Sequence, residues 1–261
     1  MPKLWQNVKE TVKCLPLIGR LAQKVNRVFR KENFVSDEVK KQLRIGVDYI
    51  YAADVEGDIA EFGTCSGETA AAIARAMSAW ISHPSAKSKR FHLFDSFQGF
   101  PDIDSKIDTE CPHVKSGDWQ AGDCKGLSKD ELADRLASYL PRESLIIYDG
   151  WYKDTVPQLK ADTRFALLHI DCDLYASTMD ALDPLFSLGC LAEGAVIFFD
   201  AWNCNRASPA YGQRKAWSDL TWKHSIVFSD GGDYSWEGHK LIVHSYQTSI
   251  LPPRPTNTHR R

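Results

Sequence analysis

Five short apolar runs, each carrying an acid at or near its end, govern what this chain can fold into: DIAEF (58–62), FHLFD (91–95), SLIIYD (144–149), FALLHID (165–171) and AVIFFD (195–200). They are too short for buried helices and apolar on successive positions, so they predict strands covered on both faces, as in a parallel sheet. Helical periodicity fills the intervals. It predicts a helix over 36–53, another after Gly67, a short one near Val156, and two more over about 177–188 and 213–223. A further helix opens at Ser128 with Glu131 three residues on, the pattern of a capping box. Two last runs, SIVFS (225–229) and KLIVHS (240–245), suit an antiparallel pair at the sheet edge. The alternation predicts a single α/β domain over 55–247, Rossmann-like, with a mostly parallel sheet and an antiparallel edge strand.

Charge is unevenly spread. The first 31 of 261 residues hold eight Lys/Arg and one acid, leaving 24 basic and 33 acidic residues for the rest. So acidic a body argues against nucleic-acid binding, which needs clustered Lys/Arg. Seven cysteines lie scattered without a C-x-x-C pair or a zinc spacing, which fits a reducing, cytoplasmic setting. A disulfide between Cys111 and Cys124, within one loop, stays open.

The chemistry is expected on one rim. Glu61, Asp95, Asp149, Asp171 and Asp200 stand at or near the C-terminal ends of the five strands, the edge where open α/β sheets bind ligands. Each alone could be a cap or turn residue; five on one edge point to a site. The turn EFGTCSG after the first strand has the glycines of a cofactor loop. It fails the dinucleotide pattern G-x-G-x-x-G, since Cys65 stands at the middle glycine position. A glutamate two residues before Gly63 suits a cofactor bearing an ammonium group and no pyrophosphate.

The segments GDIAEFGTCSGETA, FDSFQGFPD, GWYKDTVPQL, LLHIDCDLYASTMDAL and GQRKAWSDL resemble the successive motifs of the macrocin O-methyltransferase family. These are class I S-adenosylmethionine-dependent methyltransferases that act on antibiotic sugars. The resemblance runs from about Gly57 to Leu220. It implies that Glu61 faces the methionine moiety above the turn Gly63, Thr64 and Gly67. Asp95 would take the ribose hydroxyls, with Ser96 beside it, and Gly150, Trp151 and Tyr152 the adenine. It further implies magnesium on Asp171 and Asp200, which neighbouring strands bring together. Relatives usually carry a second acid where this chain has Ala201, so the alternatives are Asn203 as substitute ligand, a water in its place, or a weakly held metal. Asp173, two residues beyond Asp171, is a third ligand or the base, and His113 and His169 are lesser base candidates.

The acceptor is expected to be a small molecule with a hydroxyl. Two other classes stay open: an NAD-dependent oxidoreductase, and a methyltransferase fold kept as a non-catalytic scaffold. Residues 1–54 read as an N-terminal helical extension whose basic amphipathic pieces flank Pro16. In related methyltransferases such extensions build homo-oligomers and roof the acceptor pocket; contact with a membrane surface is the rival. The tail 248–261 is Pro-rich and basic, the composition of a flexible segment.

Overall fold

The computed structural model describes residues 35–248. The basic amphipathic pieces before residue 35 and the tail from 249 onward lie outside them. Helix α1 (Asp37–Ala52) starts where the Ser36 hydroxyl accepts the Val39 N–H at 3.2 Å. Its buried residues Val39, Leu43, Gly46, Val47 and Ile50 recur three and four apart, so one stripe faces inward. At Gly46 a Cβ would lie 2.5 Å from the Phe198 ring, so the missing side chain lets this helix settle onto the sheet.

The elements that follow are β1 (Asp58–Phe62), α2 (Glu68–Ser78), β2 (Phe91–Asp95), α3 (Lys106–Glu110), α4 (Pro112–Lys115) and α5 (Lys129–Leu136). Next come β3 (Leu145–Asp149), α6 (Tyr152–Thr155), β4 (Phe165–Ile170), α7 (Tyr175–Ser187) and β5 (Leu191–Phe199). The chain closes with α8 (Gly212–His224), β6 (Val227–Asp233) and β7 (His239–Ser245). The seven strands stand in the order β3-β2-β1-β4-β5-β7-β6. Strands β1 to β5 pair in parallel, while β7 runs antiparallel to both β5 and β6. The chain winds outward from β1 to β3, then returns to lay β4 against the other side of β1. The crevice between β1 and β4 is the switch point at which such sheets hold ligands.

All six residues of β4 are buried, as its unbroken apolar run requires. Register sets Phe62 opposite Phe94, and Phe94 opposite Tyr148. Their rings therefore stack across three strands, with centroids 4.5 and 4.2 Å apart. Val156, Leu182, Leu185, Phe186 and Trp217 belong to the same core. Each such side chain removed from water contributes about 1.5–3 kcal/mol.

Several elements depart from the sequence expectation. β5 starts at Leu191, four residues early, where LAEG is too polar to read as a buried strand. β6 runs on through Asp233, and its second half, SDGGD, has no apolar signature. Residues 96–126, where no periodicity is visible, contain α3 and α4. What orders them is tertiary: buried Asp108 accepts the N–H groups of Tyr175 (2.7 Å) and Ala176 (3.0 Å), capping α7 from a distance. The capping box forms, with the Ser128 N–H on Glu131 and the Glu131 N–H on the Ser128 hydroxyl. No disulfide joins Cys111 to Cys124.

Candidate active site

Register alone assembles most of the site. Phe62, Phe94, Ile170 and Phe199 lie level across β2, β1, β4 and β5. The next residue on each strand, Gly63, Asp95, Asp171 and Asp200, therefore forms one row along the rim. Gly63, at φ +90°, has to be glycine: a Cβ there would stand 2.0 Å from the Asp171 carbonyl oxygen. That approach joins the glycine turn directly to the acidic row.

Asp95 organises the turn. Its Oδ2 accepts the Thr64 N–H at 2.7 Å and the Thr64 hydroxyl at 2.9 Å, while Oδ1 accepts the Phe97 N–H at 2.7 Å. Gly67, at φ +71°, opens α2, whose N-terminus favours negative charge. The Ser96 hydroxyl accepts the Gln98 N–H and donates to the Gly99 carbonyl, holding the next turn. The Gly150 N–H donates to the Asp95 carbonyl at 2.9 Å, which sets Trp151 and Tyr152 at the start of α6 beside that turn. Tyr152 packs edge-on against Phe62, with its hydroxyl 3.5 Å from where a Gly63 Cβ would be. Burial, then the nearby Cys172 and acids, push its phenol well above the usual range. Asp149 is exposed at the end of edge strand β3.

Glu61 lies two residues below the row, fully buried, with Oε1 2.8 Å from His169 Nδ1. Burial alone would lower the His169 pKa, but the hydrogen bond and charge of Glu61 raise it. Glu61 Oε2 and His169 Nε2 are buried without a hydrogen-bond partner. An orphaned carboxylate oxygen beneath a glycine cradle, with the Asp95 carboxylate at the adjoining strand end, is an acceptor set that fits the ammonium and hydroxyl donors of S-adenosylmethionine.

Asp171 is pushed well above the carboxylate range by burial, then by Asp200, Asp173 and Glu61. Asp173 stands just past β4 at φ +56°, a strained conformation of the kind that clusters at functional sites. The hard oxygens of Asp171 and Asp200 have the right chemistry for magnesium. Yet among the described residues no three carboxylate, histidine or cysteine side chains converge as metal ligands would. Asn203 Oδ1 accepts from the Arg214 guanidinium. Ala201 packs with Cys111, Trp119 and Leu174 in a small apolar cluster. His113 is drawn to the loop after β5, its Nδ1 accepting the Asn205 N–H at 3.0 Å.

Three positions around the acidic row escape sequence reading. Gln213 ties two strand ends together, accepting the Ala201 N–H and donating to the Ile170 carbonyl, both at 2.9 Å. Tyr234 donates its hydroxyl to Asp200 at 3.3 Å. Glu237 is raised to about 7 by burial, then by Asp200 and Asp173. Only Gln213 lies within a segment that the sequence marked, GQRKAWSDL.

A parallel five-strand wind with an antiparallel β7, a glycine turn after β1 and acids at the next strand ends define a class I methyltransferase. The family described as macrocin O-methyltransferase (TylF) matches residues 32–226. The chain belongs to that family, and its class of reaction is O-methyl transfer from S-adenosylmethionine, which replaces the oxidoreductase and scaffold alternatives. Demethyldecarbamoylnovobiocin O-methyltransferase of Streptomyces niveus is 28% identical over 195 residues, 73% of this chain and 70% of the relative. An 8-demethyl-8-(2,3-dimethoxy-alpha-L-rhamnosyl)-tetracenomycin-C 4'-O-methyltransferase of Streptomyces olivaceus is 26% identical, covering 80% of this chain and 76% of its own. Among solved structures, the O-methyltransferase NovP shares the fold at TM-score 0.64 and 21% identity, over 81% of each chain. A calicheamicin methyltransferase does so at TM-score 0.58 and 22% identity, over 90% of this chain and 85% of that one. Among the described residues no helix is long and apolar enough to cross a membrane.

Proposed function

We propose that this protein methylates a hydroxyl of a sugar or related small natural product, with magnesium held between Asp171 and Asp200. The observation that carries the reading is the closeness of Gly63 to the Asp171 carbonyl, 2.0 Å from an added Cβ, which brings the cofactor turn and the acidic row together. In this reading Glu61 answers the methionine end of S-adenosylmethionine and Asp95 the ribose hydroxyls. Thr64 and Ser96 shape the turns, and Gly150, Trp151 and Tyr152 bound the adenine. The acceptor oxygen lies against Asp171, Asp173 and Asp200. Holding the hydroxyl in line with the methyl group supplies much of the acceleration. Asp173 receives the hydroxyl proton.

A bound divalent ion would lower the acceptor's pKa. Crowding of Asp171 by Asp200, Asp173 and Glu61 supports a cation there, because it relieves like-charge repulsion. Asn203 joins the ligands only by releasing Arg214. The named relatives methylate antibiotic sugars and related products, which supports the acceptor class. Calorimetry with S-adenosylmethionine and with NAD, each with and without magnesium, tests the donor and the metal together. Binding of NAD in preference to S-adenosylmethionine sinks the reading. Turnover that survives exhaustive chelation sinks the metal alone and leaves Asp173 to carry the proton.

A further inference from the structure

Strands β6 and β7 are joined by a hairpin, residues 234–238, that reaches back to the end of β5. Tyr234 pins it by its hydroxyl bond to Asp200 and by its N–H on the Gly238 carbonyl at 3.0 Å. The Tyr234 ring lies so close to Gly238 that a Cβ there would sit 2.4 Å away. On the other side the Glu237 carbonyl accepts the Asn203 N–H at 2.8 Å, and Trp202 stacks on His239 at 4.9 Å. Glu237 is thereby fixed beside the acidic row from a part of the chain remote from the motifs.

Among the described residues its side chain has no hydrogen-bond or ion-pair partner to explain that placement. Half-buried, it makes no ion pair among the described residues. A carboxylate drawn out of water needs donors, and being an acceptor only it is matched by hydroxyl or ammonium groups. The adjoining Trp236 leaves 77% of its surface open, an amphipathic ring at the mouth of the same hairpin. The charges facing Glu237 are those of Asp200 and Asp173, with Asp171 next to them on the rim. An anionic group entering here would meet Glu237 and Asp173, which lie outside the pair Asp171 and Asp200 proposed to hold the cation.

We infer that Glu237 is an acceptor-recognition residue: it accepts a hydrogen bond from an acceptor hydroxyl adjoining the one that is methylated, and helps select a neutral or amino-bearing polyhydroxylated ring over an anionic one. The inference rests on the methyltransferase reading and adds to it the charge class of the substrate. Replacing a charge-assisted hydrogen bond by a neutral one, as an acid-to-amide change does, weakens binding about fivefold.

The test uses the full chain saturated with S-adenosylhomocysteine and titrated calorimetrically with methyl α-L-rhamnopyranoside and with glucuronate. The wild type is expected to prefer the neutral pyranoside. Glu237→Gln is expected to bind it about fivefold more weakly, to discriminate less against glucuronate, and to keep its affinity for S-adenosylhomocysteine within about twofold. Unchanged pyranoside affinity in Glu237→Gln overturns the inference, as does a wild type that prefers glucuronate or binds neither sugar. Parallel loss of S-adenosylhomocysteine binding overturns it by giving Glu237 a structural role. A wild type that does not bind S-adenosylhomocysteine at all defeats the methyltransferase reading itself.

Discussion

Substituting Ala201 by Asp would supply the acid that the family resemblance implies after the fifth strand, and here it should be harmful. Ala201 is 5% exposed and packs with Cys111, Trp119 and Leu174; its N–H is taken by Gln213. Without magnesium, a carboxylate at that point finds apolar neighbours and the like charge of Asp200 next to it. An uncompensated buried charge costs about 3–5 kcal/mol, and protonation of the new group trims this to about 3 kcal/mol. For a domain of this size that lowers the melting temperature by about 6–12 °C. The sign with pH follows from a raised folded pKa. The penalty is absent below the unfolded carboxyl value of about 3.9 and grows as pH rises through the folded value. Circular-dichroism melts at pH 5 and pH 8, in EDTA and in saturating magnesium, are the assay. Magnesium shared with Asp171 and Asp200 should recover part of the loss in the variant and shift the wild type less. An Ala201→Asp protein melting within about 2 °C of wild type in EDTA at pH 8 would refute the apolar account of that position.

Asp95→Ala removes the acceptor for two Thr64 donors as well as the proposed ribose contact. S-adenosylhomocysteine affinity in calorimetry should fall by about 1.5–3 kcal/mol, and unchanged affinity in a folded variant would end that assignment. Asp108→Ala uncaps α7 and should cost about 1–2 kcal/mol in urea denaturation; an unchanged midpoint would show that the cap bonds contribute nothing. Asp58 tests the acid limb. Burial would raise its pKa, but hydrogen bonds from His92 and from the Arg90 N–H, with their charges, lower it. Its contribution is therefore present above the unfolded value of about 3.9 and lost as pH falls through the depressed folded value. Asp58→Asn should flatten the decline of stability over pH 3–5, and an identical acid slope would contradict this.

The strands that order the site were legible because they are buried on both faces: DIAEF, FHLFD and FALLHI are short runs in which apolar residues fall on both faces. The places of Asp95, Asp171 and Asp200 on one rim were legible for the same reason, since each ends or follows such a run. Legibility fails wherever tertiary partners do the ordering. α3 and α4 depend on Asp108 reaching α7, and α4 also on His113 meeting Asn205, pairings 67 and 92 residues apart that no local period records. Glu237 arrives on a hairpin whose sequence, YSWEG, marks only a turn. The depth of Glu61 was hidden too: its register with His169 puts it two residues under the rim.

The strand order leaves β6 at one margin of the sheet, with its far half reading SDGGD and its register slipping between Asp230 and Asp233. An unpaired strand margin is a template for foreign strands. Two aspartates, two adjacent glycines and a broken ladder make this one a poor template, because an incoming chain meets charge and an irregular row of donors and acceptors. Among the described residues, strand addition at this margin is therefore blunted without any change to the rim that holds Asp95, Asp171 and Asp200.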